Sequence, residues 1–362
     1  MTWLDDYSAA AARTDQLPHS KDHVRLLAAG LAGETGSIFA EVKKAARERD
    51  AYPEYRDRLL EEIGDALWYL TRLATLVGGD SASAVSDMLL PHEETGDALT
   101  EGLRLDAAVG DLARSIAGGE NPYYLVRPVA SALAALAASG GVPLDAAANF
   151  NLEKITSRWP REFVYYGFFD DDAPEEDQLP RHLEVEFREL TSGDKRITLL
   201  RCNGLNFGDR VTDNIEDPDF YRYHDIFHFS HAVHLGWSPV VRALLRAKRK
   251  SDPAADEQQD GARAIALEEA VTAIVFARAK KLAFFDSLNR VDYDILKTIH
   301  SFLQGYEGGR LPLWQWERAI LEGYAIFRLL RQHRGGHVTL DLPHRKLHYV
   351  APTSAAGLRN RG

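Results

Sequence analysis

The spacing of apolar and polar positions in the first half of the chain predicts a bundle of amphipathic helices. Apolar side chains recur at helical spacing over 21–48, and Ser20 is suited to cap the start of this helix. A second helix is predicted over 54–77, because an apolar stripe runs along it and two glycines follow. Further helices are predicted over 81–90, 98–116, 125–138 and 143–156.

In the second half the pattern changes before it becomes helical again. Residues 182–190 and 196–202 alternate between apolar and polar, which predicts a small β-hairpin. The segment 337–350 is predicted to be extended. Helices are predicted over 219–235, 239–248, 262–289, 293–306 and 313–332. The predicted fold class is therefore mainly α, with a helical bundle followed by a second, mostly helical domain that carries a small β-hairpin.

An acidic run between these halves predicts the domain boundary. Six carboxylates lie within 170–177 and have prolines on both sides, a composition typical of a solvated linker. A chain of 362 residues also exceeds one typical core. We therefore expect a first domain over 1–165, an acidic linker over 166–180 and a second domain over 181–362.

Two segments of the chain are similar to each other. Residues 60–69 and 267–276 share one polar and apolar frame, with identical residues at four of ten positions. The second domain could thus be a diverged copy of the first. The alternative is two amphipathic helices that look alike.

Composition narrows the classes of function. The net charge of -11 argues against a broad nucleic-acid-binding surface, which needs clustered Lys and Arg. A small phosphorylated ligand remains compatible, because a divalent cation can bridge carboxylates to phosphate. Cys202 is the single cysteine, so the chain forms no intrachain disulfide and no cysteine-based zinc site. With no apolar leader and no apolar run of about 18 residues, we expect a cytoplasmic protein without a membrane partner.

Acidic side chains in the first half share helix faces. Glu34 and Glu41 are seven residues apart and lie nearly in line, with Lys44 close to them. Glu62 and Asp65 are three apart and share a face of the next helix. Carboxylates that border an apolar stripe need a cation or hydrogen bonds, and an oxygen-rich cage between helices suits magnesium or manganese. The alternative is ordinary exposed acids on amphipathic helices.

The residues around Glu34 are unusual for the interior of a helix. Gly33 and Gly36 flank it closely, and each costs about 1 kcal/mol relative to alanine in a helix. This composition indicates either close packing or access for a ligand.

Three stretches in this half resemble the MazG-like family of all-α nucleoside triphosphate pyrophosphatases. They are residues 31–37, 61–70 and the segment 141–160. The resemblance implies a helical bundle, often dimeric, that cleaves a nucleoside triphosphate to the monophosphate and pyrophosphate. It also implies Mg²⁺, with Mn²⁺ as an alternative, held by an E-x-x-E pair and an E-x-x-D pair.

The resemblance also assigns roles to individual residues. It implies that Glu34, Glu62 and Asp65 are metal ligands. It further implies that Asn151, Lys154 and Arg158 approach the phosphates of the nucleotide, and Lys44 is a further candidate for substrate binding from its place on the acidic face.

The chain departs from the family pattern at one position. The second acid of the E-x-x-E pair falls at Ser37. Glu41, one turn further along the same face, could supply the missing carboxylate and accept a proton from the attacking water, so that Glu41, Glu62 and Asp65 are the candidate catalytic residues. Alternatively, the site binds one metal ion fewer or is inactive.

A histidine stripe marks the second half. His224, His228 and His231 fall at i, i+4 and i+7 on one helix face, and two histidines at i and i+4 are a common zinc-binding arrangement. Asp225 lies about 100° away and would contribute only from the edge of such a site. Glu268 or Glu269 could add a carboxylate. The stripe is therefore either a second divalent-metal or phosphate site or a packed polar network.

Three hypotheses follow for the function. The first is metal-dependent hydrolysis of a nucleoside triphosphate, or a related nucleotide, to the monophosphate and pyrophosphate. The second is a nucleotide-binding regulatory protein with a degenerate first site, and the third is a separate metal-dependent hydrolase in the second half. A nucleotide is the expected partner, and a homo-oligomer is expected because family members commonly complete their sites with a partner chain.

Overall fold

A computed structural model of the chain describes residues 3–20, 22–78 and 96–352. The chain divides after Arg161 into two compact units, here called the first unit (residues 1–161) and the second unit (residues 162–362). The helix predicted over 81–90 lies outside the described residues. The described elements are mainly α-helical, which confirms the predicted fold class.

Helices make up the described part of the first unit, and the central one is flanked by four others. They are α1 (Trp3–Arg13), α2 (His23–Glu48), α3 (Tyr55–Gly78), α4 (Ala98–Gly118), α5 (Tyr123–Ser139) and α6 (Leu144–Arg158). The central helix α3 contacts α1, α2, α5 and α6. Its stripe of Leu59, Ile63, Leu67 and Leu70 is fully buried, as its helical spacing predicts. The periodicity did not predict α1, whose short apolar stripe gives a weak signal.

Glycines on α2 and α3 have different surroundings. A Cβ atom at Gly64 would lie 2.5 Å from the carbonyl oxygen of Ala147, so Gly64 allows α3 and α6 to approach closely. At Gly33 and Gly36 a Cβ atom would meet nothing within 4 Å. The glycines beside Glu34 therefore leave open space rather than permit close packing.

We expect Gly64→Ala to destabilise the first unit by about 1–3 kcal/mol, because the backbone carbonyl of Ala147 cannot move aside as a flexible side chain would. Gly33→Ala, the matched control on α2, should instead stabilise it by up to about 1 kcal/mol through helix propensity. Urea unfolding followed by circular dichroism measures both. Equal stability of Gly64→Ala and the parent protein would contradict the close approach.

The second unit contains a five-stranded antiparallel sheet in the order β3-β2-β1-β4-β5. The strands are β1 (His182–Ser192), β2 (Lys195–Cys202), β3 (Leu205–Val211), β4 (Gly335–Asp341) and β5 (Lys346–Val350). The predicted hairpin is confirmed as β1 and β2, with Leu190 opposite Ile197. The extended segment predicted over 337–350 pairs as β4 and β5, and Val185 of β1 faces Val338 of β4. The hairpin prediction missed β3 and this larger sheet.

Helices complete the second unit. They are α7 (Asp225–Leu235), α8 (Pro239–Leu245), α9 (Pro253–Gln258), α10 (Ala262–Lys281), α11 (Tyr293–Phe302) and α12 (Leu313–His333). All eleven residues of α7 are buried, and this helix packs on α12, with the rings of Phe227 and Tyr324 4.3 Å apart. Ser238 caps α8 through a hydrogen bond from Val241 N, with Pro239 in the first turn. Polar side chains on α7 must therefore find partners within the protein.

The acidic stretch 166–180 lies within the second unit, and two of its six acids are buried while four are exposed. Asp170 is 1% exposed, and its carboxylate accepts hydrogen bonds from Arg181, Arg242 and the backbone N–H of Leu179 at 2.6–2.8 Å. Asp177 is buried as well and accepts from the N–H of Ser251 at 2.8 Å. Composition did not predict these contacts, because the groups that bind the two acids lie up to 74 residues away in sequence.

The two units differ in topology across the described residues. The elements of the first unit are all helical, whereas the helices of the second unit accompany the sheet. The similarity between 60–69 and 267–276 therefore extends to two amphipathic helices but not to a shared topology. Within the described ranges no single helix is both long and apolar enough to cross a membrane; α5 and α6 meet that requirement only as a pair, bent by 99°.

Candidate metal and nucleotide site

Carboxylates from two helices of the first unit meet at one point. Glu34 of α2 and Glu62 and Asp65 of α3 each place an oxygen atom within 4.8 Å of the others. All three residues are partly exposed, so the group is open to a ligand from solvent. The structure thus brings together the three residues that the family resemblance implied as metal ligands.

The electrostatics of this group favour a cation. The pKa of Glu34 is raised to about 7, first by burial and then by the negative charges of Asp65 and Glu62, while Lys154 opposes the shift. Carboxylates this close repel one another when ionised, and a cation among them relieves the repulsion. Because all the donors are carboxylate oxygens, Mg²⁺ or Mn²⁺ fits the group.

Helix α6 provides polar contacts to Asp65. The Asn151 side-chain amide donates to Asp65 Oδ1 at 2.7 Å, and the Lys154 ammonium pairs with both carboxylate oxygens. Asn151 is 1% exposed and accepts a hydrogen bond at 3.0 Å from the hydroxyl of Tyr7 on α1. Lys154 Nζ also lies 3.6 Å from Glu61, which is buried. Asn151 and Lys154 therefore lie at the carboxylate group.

The sequence prediction missed Tyr7 and Glu61 as neighbours of this site. Tyr7 belongs to a helix that the periodicity did not predict. Glu61 stands next to Glu62 in the motif, and the adjacent acids alone do not show that Glu61 turns inward toward Lys154. The pair of adjacent acids at 61–62 is the sequence signal that marks Glu61 as a possible neighbour of the site.

Glu41 and Lys44 lie in a different arrangement. The Tyr52 hydroxyl donates to the Glu41 carboxylate, and Lys44 Nζ lies 3.8 Å from the centre of the Tyr52 ring. Among the described residues, Glu41 belongs to no group of potential ligand atoms within 4.8 Å. Seven residues of helix span about 10.5 Å along the axis, so a shared face does not bring Glu41 level with Glu34. The family pattern has an acid at the position of Ser37. The structure therefore does not bring Glu41 to the site as a substitute for that acid.

Arg158 lies one turn beyond Lys154 on α6. Its guanidinium lies 4.8 Å from the centre of the Trp159 ring. Asn151, Lys154 and Arg158 are spaced at i, i+3 and i+7 and so share one face of α6. The face of α6 that contacts Asp65 therefore also carries Arg158, the second basic residue that the resemblance implied for phosphate binding.

A second group of potential ligands lies inside the second unit. His224, Asp225 and His228 place one ligand atom each within 4.8 Å of the others. The Nε2 atom of His228 lies 3.4 Å from Glu269 Oε2, and that of His224 lies 3.8 Å from the same oxygen. The predicted register of the stripe is therefore present, with Asp225 and Glu269 facing the two imidazoles.

Glu268 forms a separate hydrogen-bonding centre. Its fully buried carboxylate accepts from Nδ1 of His228 and of His231, from the Ser238 hydroxyl and from the N–H of Val240, at 2.8–3.0 Å. Burial raises the pKa of this carboxyl, but the two histidines and their hydrogen bonds outweigh that effect and lower it. His231 and Glu268 are thus held in a network of hydrogen bonds.

The surroundings of His228 favour positive charge. Burial lowers the pKa of this histidine, but the carboxylates of Glu268 and Glu269 outweigh burial and raise it well above its usual range. Burial keeps the pKa of His224 and of His231 below the ordinary value. A cation beside His228 would therefore be stabilised by the same carboxylates that favour its proton.

The second unit identifies the family. Residues 165–353 match the family model of the MazG C-terminal domain. The chain belongs to the MazG C-terminal domain family. The match confirms the MazG-like resemblance through the second unit, whereas the motifs that suggested it lie in the first.

A phage protein is similar in sequence to part of this chain. The Gene 37 protein of Mycobacterium phage L5 is 37% identical over 78 residues, which cover 20% of this chain and 68% of the phage protein. No solved structure matches the chain.

Proposed function

We propose that the first unit hydrolyses a nucleoside triphosphate, or a related nucleotide, to the monophosphate and pyrophosphate. The observation that supports this most strongly is the convergence of Glu34, Glu62 and Asp65 with Asn151 and Lys154. Membership of a MazG family suggests the same class of reaction. A carboxylate group for a divalent cation beside a basic helix face suits a polyphosphate, which carries several negative charges.

The chain's own residues would bind and orient the polyphosphate. Mg²⁺ held by the three carboxylates would offset the negative charge of the triphosphate and lower the pKa of a bound water. Asn151 and Tyr7 hold Asp65 in place through consecutive hydrogen bonds. Lys154 and Arg158 would offset the charge that develops on the leaving pyrophosphate. Lys154 would exchange part of its pairing with Asp65 for phosphate oxygens.

Product analysis by ion-exchange chromatography tests the proposal. The purified full chain would be incubated with ribo- and deoxyribonucleoside triphosphates, with Mg²⁺ and with Mn²⁺. We expect monophosphate and pyrophosphate in equal amounts, because cleavage lies between the α and β phosphates. Diphosphate with inorganic phosphate would instead indicate cleavage between β and γ, and would contradict the proposed reaction.

A second candidate function is nucleotide binding without turnover, in which the first unit regulates the second. Ser37 favours this candidate, because it stands where the metal-binding pattern has its second acid and Glu41 does not replace it. Calorimetry distinguishes the candidates. Saturable nucleotide binding with no product over hours would support regulation, and rapid turnover would exclude it.

A further inference from the structure

The two histidines of the second group are held in the orientation that metal ligands adopt. His224 Nδ1 lies 3.0 Å from the backbone carbonyl of Tyr221, and His228 Nδ1 lies 3.0 Å from Glu268 Oε1. A carbonyl and a carboxylate only accept hydrogen bonds, so both Nδ1 atoms carry the proton. When an ion replaces the second proton that its carboxylate neighbours favour on His228, each Nε2 atom presents a lone pair to that ion. This division of roles between the two ring nitrogens is typical of metal-bound histidine.

The Nε2 atoms face carboxylate oxygens at distances that suit an ion between them. His228 Nε2 is 3.4 Å and His224 Nε2 is 3.8 Å from Glu269 Oε2, and His224 Nε2 is 4.0 Å from Asp225 Oδ1. In a tetrahedral site with bonds of about 2.0–2.1 Å, neighbouring ligand atoms lie about 3.3–3.4 Å apart. The shortest of these separations equals that value, and the others exceed it by a few tenths of an ångström.

One of these ligand atoms lacks a well-aligned hydrogen bond. His228 Nε2 is fully buried and makes no hydrogen bond of good geometry, although Glu269 Oε2 lies 3.4 Å away. A buried polar atom without a good hydrogen bond costs about 1–3 kcal/mol. Glu268 cannot serve it, because that carboxylate is on the Nδ1 side and already accepts from four donors. An ion bound between the Nε2 atoms and the carboxylates would give this nitrogen its partner.

We propose that His224, Asp225, His228 and Glu269 bind a divalent transition-metal ion in the second unit, separate from the carboxylate group of the first. Two imidazoles with carboxylates favour zinc, iron or manganese over magnesium, which prefers oxygen donors throughout. Glu268 does not bind the ion, but it fixes the ring of His228. His231 is not included, because the group of ligand atoms within 4.8 Å that contains His224 and Asp225 contains His228 but not His231.

The site is accessible from one side. The Glu269 side chain is 41% exposed, whereas those of His224 and Asp225 are 11% and 8% exposed. The ring of Tyr221 stacks on His224, with centroids 4.4 Å apart, and covers another side. An ion can therefore enter past Glu269, and a water or a phosphate oxygen can complete its coordination there.

Metal binding by the full chain tests the proposal. A Glu62→Gln, Asp65→Asn background removes the carboxylate group of the first unit, and dialysis against a chelator removes resident metal. Zn²⁺ would then be titrated by calorimetry, and bound metal measured by elemental mass spectrometry after gel filtration. We expect one ion per chain, and a visible absorption spectrum with Co²⁺ that reports nitrogen and oxygen donors.

Substitutions in this background locate the ion. Loss of a residue that only orients a ligand costs about 10–100-fold in affinity, so His224→Ala and His228→Ala should each weaken zinc binding by about a hundredfold or more. Glu269→Gln should weaken it at least about tenfold. This variant keeps the test valid if the buried histidine variants misfold, because Glu269 is partly exposed. His337→Gln, an exposed histidine on β4, should bind zinc like the parent.

Two results would overturn the proposal. One is the absence of binding when the folded background protein is offered zinc, manganese and cobalt, which would leave a packed polar network. The other is unchanged affinity and stoichiometry in Glu269→Gln and in folded histidine variants, which would place the ion elsewhere. Circular dichroism in the presence of chelator verifies folding.

Discussion

Replacing Asp65 by asparagine should lower kcat/KM for pyrophosphate release by at least about a hundredfold, with little loss of helicity. Asparagine retains the shape of the side chain but removes the charge that binds Mg²⁺ and pairs with Lys154. Asn151 also donates a hydrogen bond to Asp65 and so fixes the position of this carboxylate beside Glu34 and Glu62. Glu62→Gln should have a comparable effect, because it removes a second ligand from the same group.

A control on the same helix separates chemistry from general charge effects. Asp57→Asn changes an exposed acid of α3 by the same substitution, and we expect parental activity from it. Rates would be measured by chromatography of the products, with helicity from circular dichroism. Full activity in both Asp65→Asn and Glu62→Gln would show that the carboxylate group is not the active site.

Replacing Asp170 by alanine should destabilise the second unit by about 3–5 kcal/mol. The substitution removes the nearer of two carboxylates beside Arg242, which is 2% exposed, and leaves Asp260 at 3.6 Å. The buried charge is then compensated less well, which is costly. Asp172→Ala changes an exposed acid of the same run and should alter stability by less than about 0.5 kcal/mol. Hydrogen exchange in increasing denaturant, read on peptides from 162–352, measures the second unit separately. Equal protection in the two variants would contradict the structural role.

The contribution of Asp170 should also depend on pH. Burial opposes the ionised form, but hydrogen bonds from Arg181 and the Leu179 N–H, together with the charges of Arg242 and Arg181, outweigh it and lower the pKa of Asp170. The folded-state pKa then lies below the unfolded value of about 3.9. The stabilisation is therefore complete above about pH 5 and is lost as the pH falls through the folded-state pKa. In Asp170→Asn the loss of stability in acid should be shallower than in the parent.

The sequence alone determined the elements whose signal is local. The stripe of α3, the pairing of β1 with β2 and the register of the histidines on α7 follow from spacing within a few residues. Glu62 and Asp65 share a face because they are three residues apart on one helix. Motif resemblance, rather than periodicity, connected them with Glu34 on α2, and the structure brings these three carboxylates together.

Only the tertiary structure decided which polar groups are partners. Asn151 and Lys154 reach Asp65 from 86 and 89 residues away, and β1 pairs with β4, which lies near the other end of the second unit. Likewise, the sequence around Asp170 predicts a solvated acid, but in the structure Asp170 is buried and pairs with Arg242. No local pattern specifies these contacts.

In both candidate sites, spacing along a helix did not show which side chains meet. Glu41 has the right helical angle but lies about two turns from Glu34 along the axis, and Tyr52 binds it instead. In the histidine stripe, spacing placed three rings on one face, but the folded neighbours turned His231 toward Glu268 and left His224 and His228 facing Glu269. Spacing along a helix fixes a direction, whereas a site also requires a distance, and distances between elements are set by packing of the core.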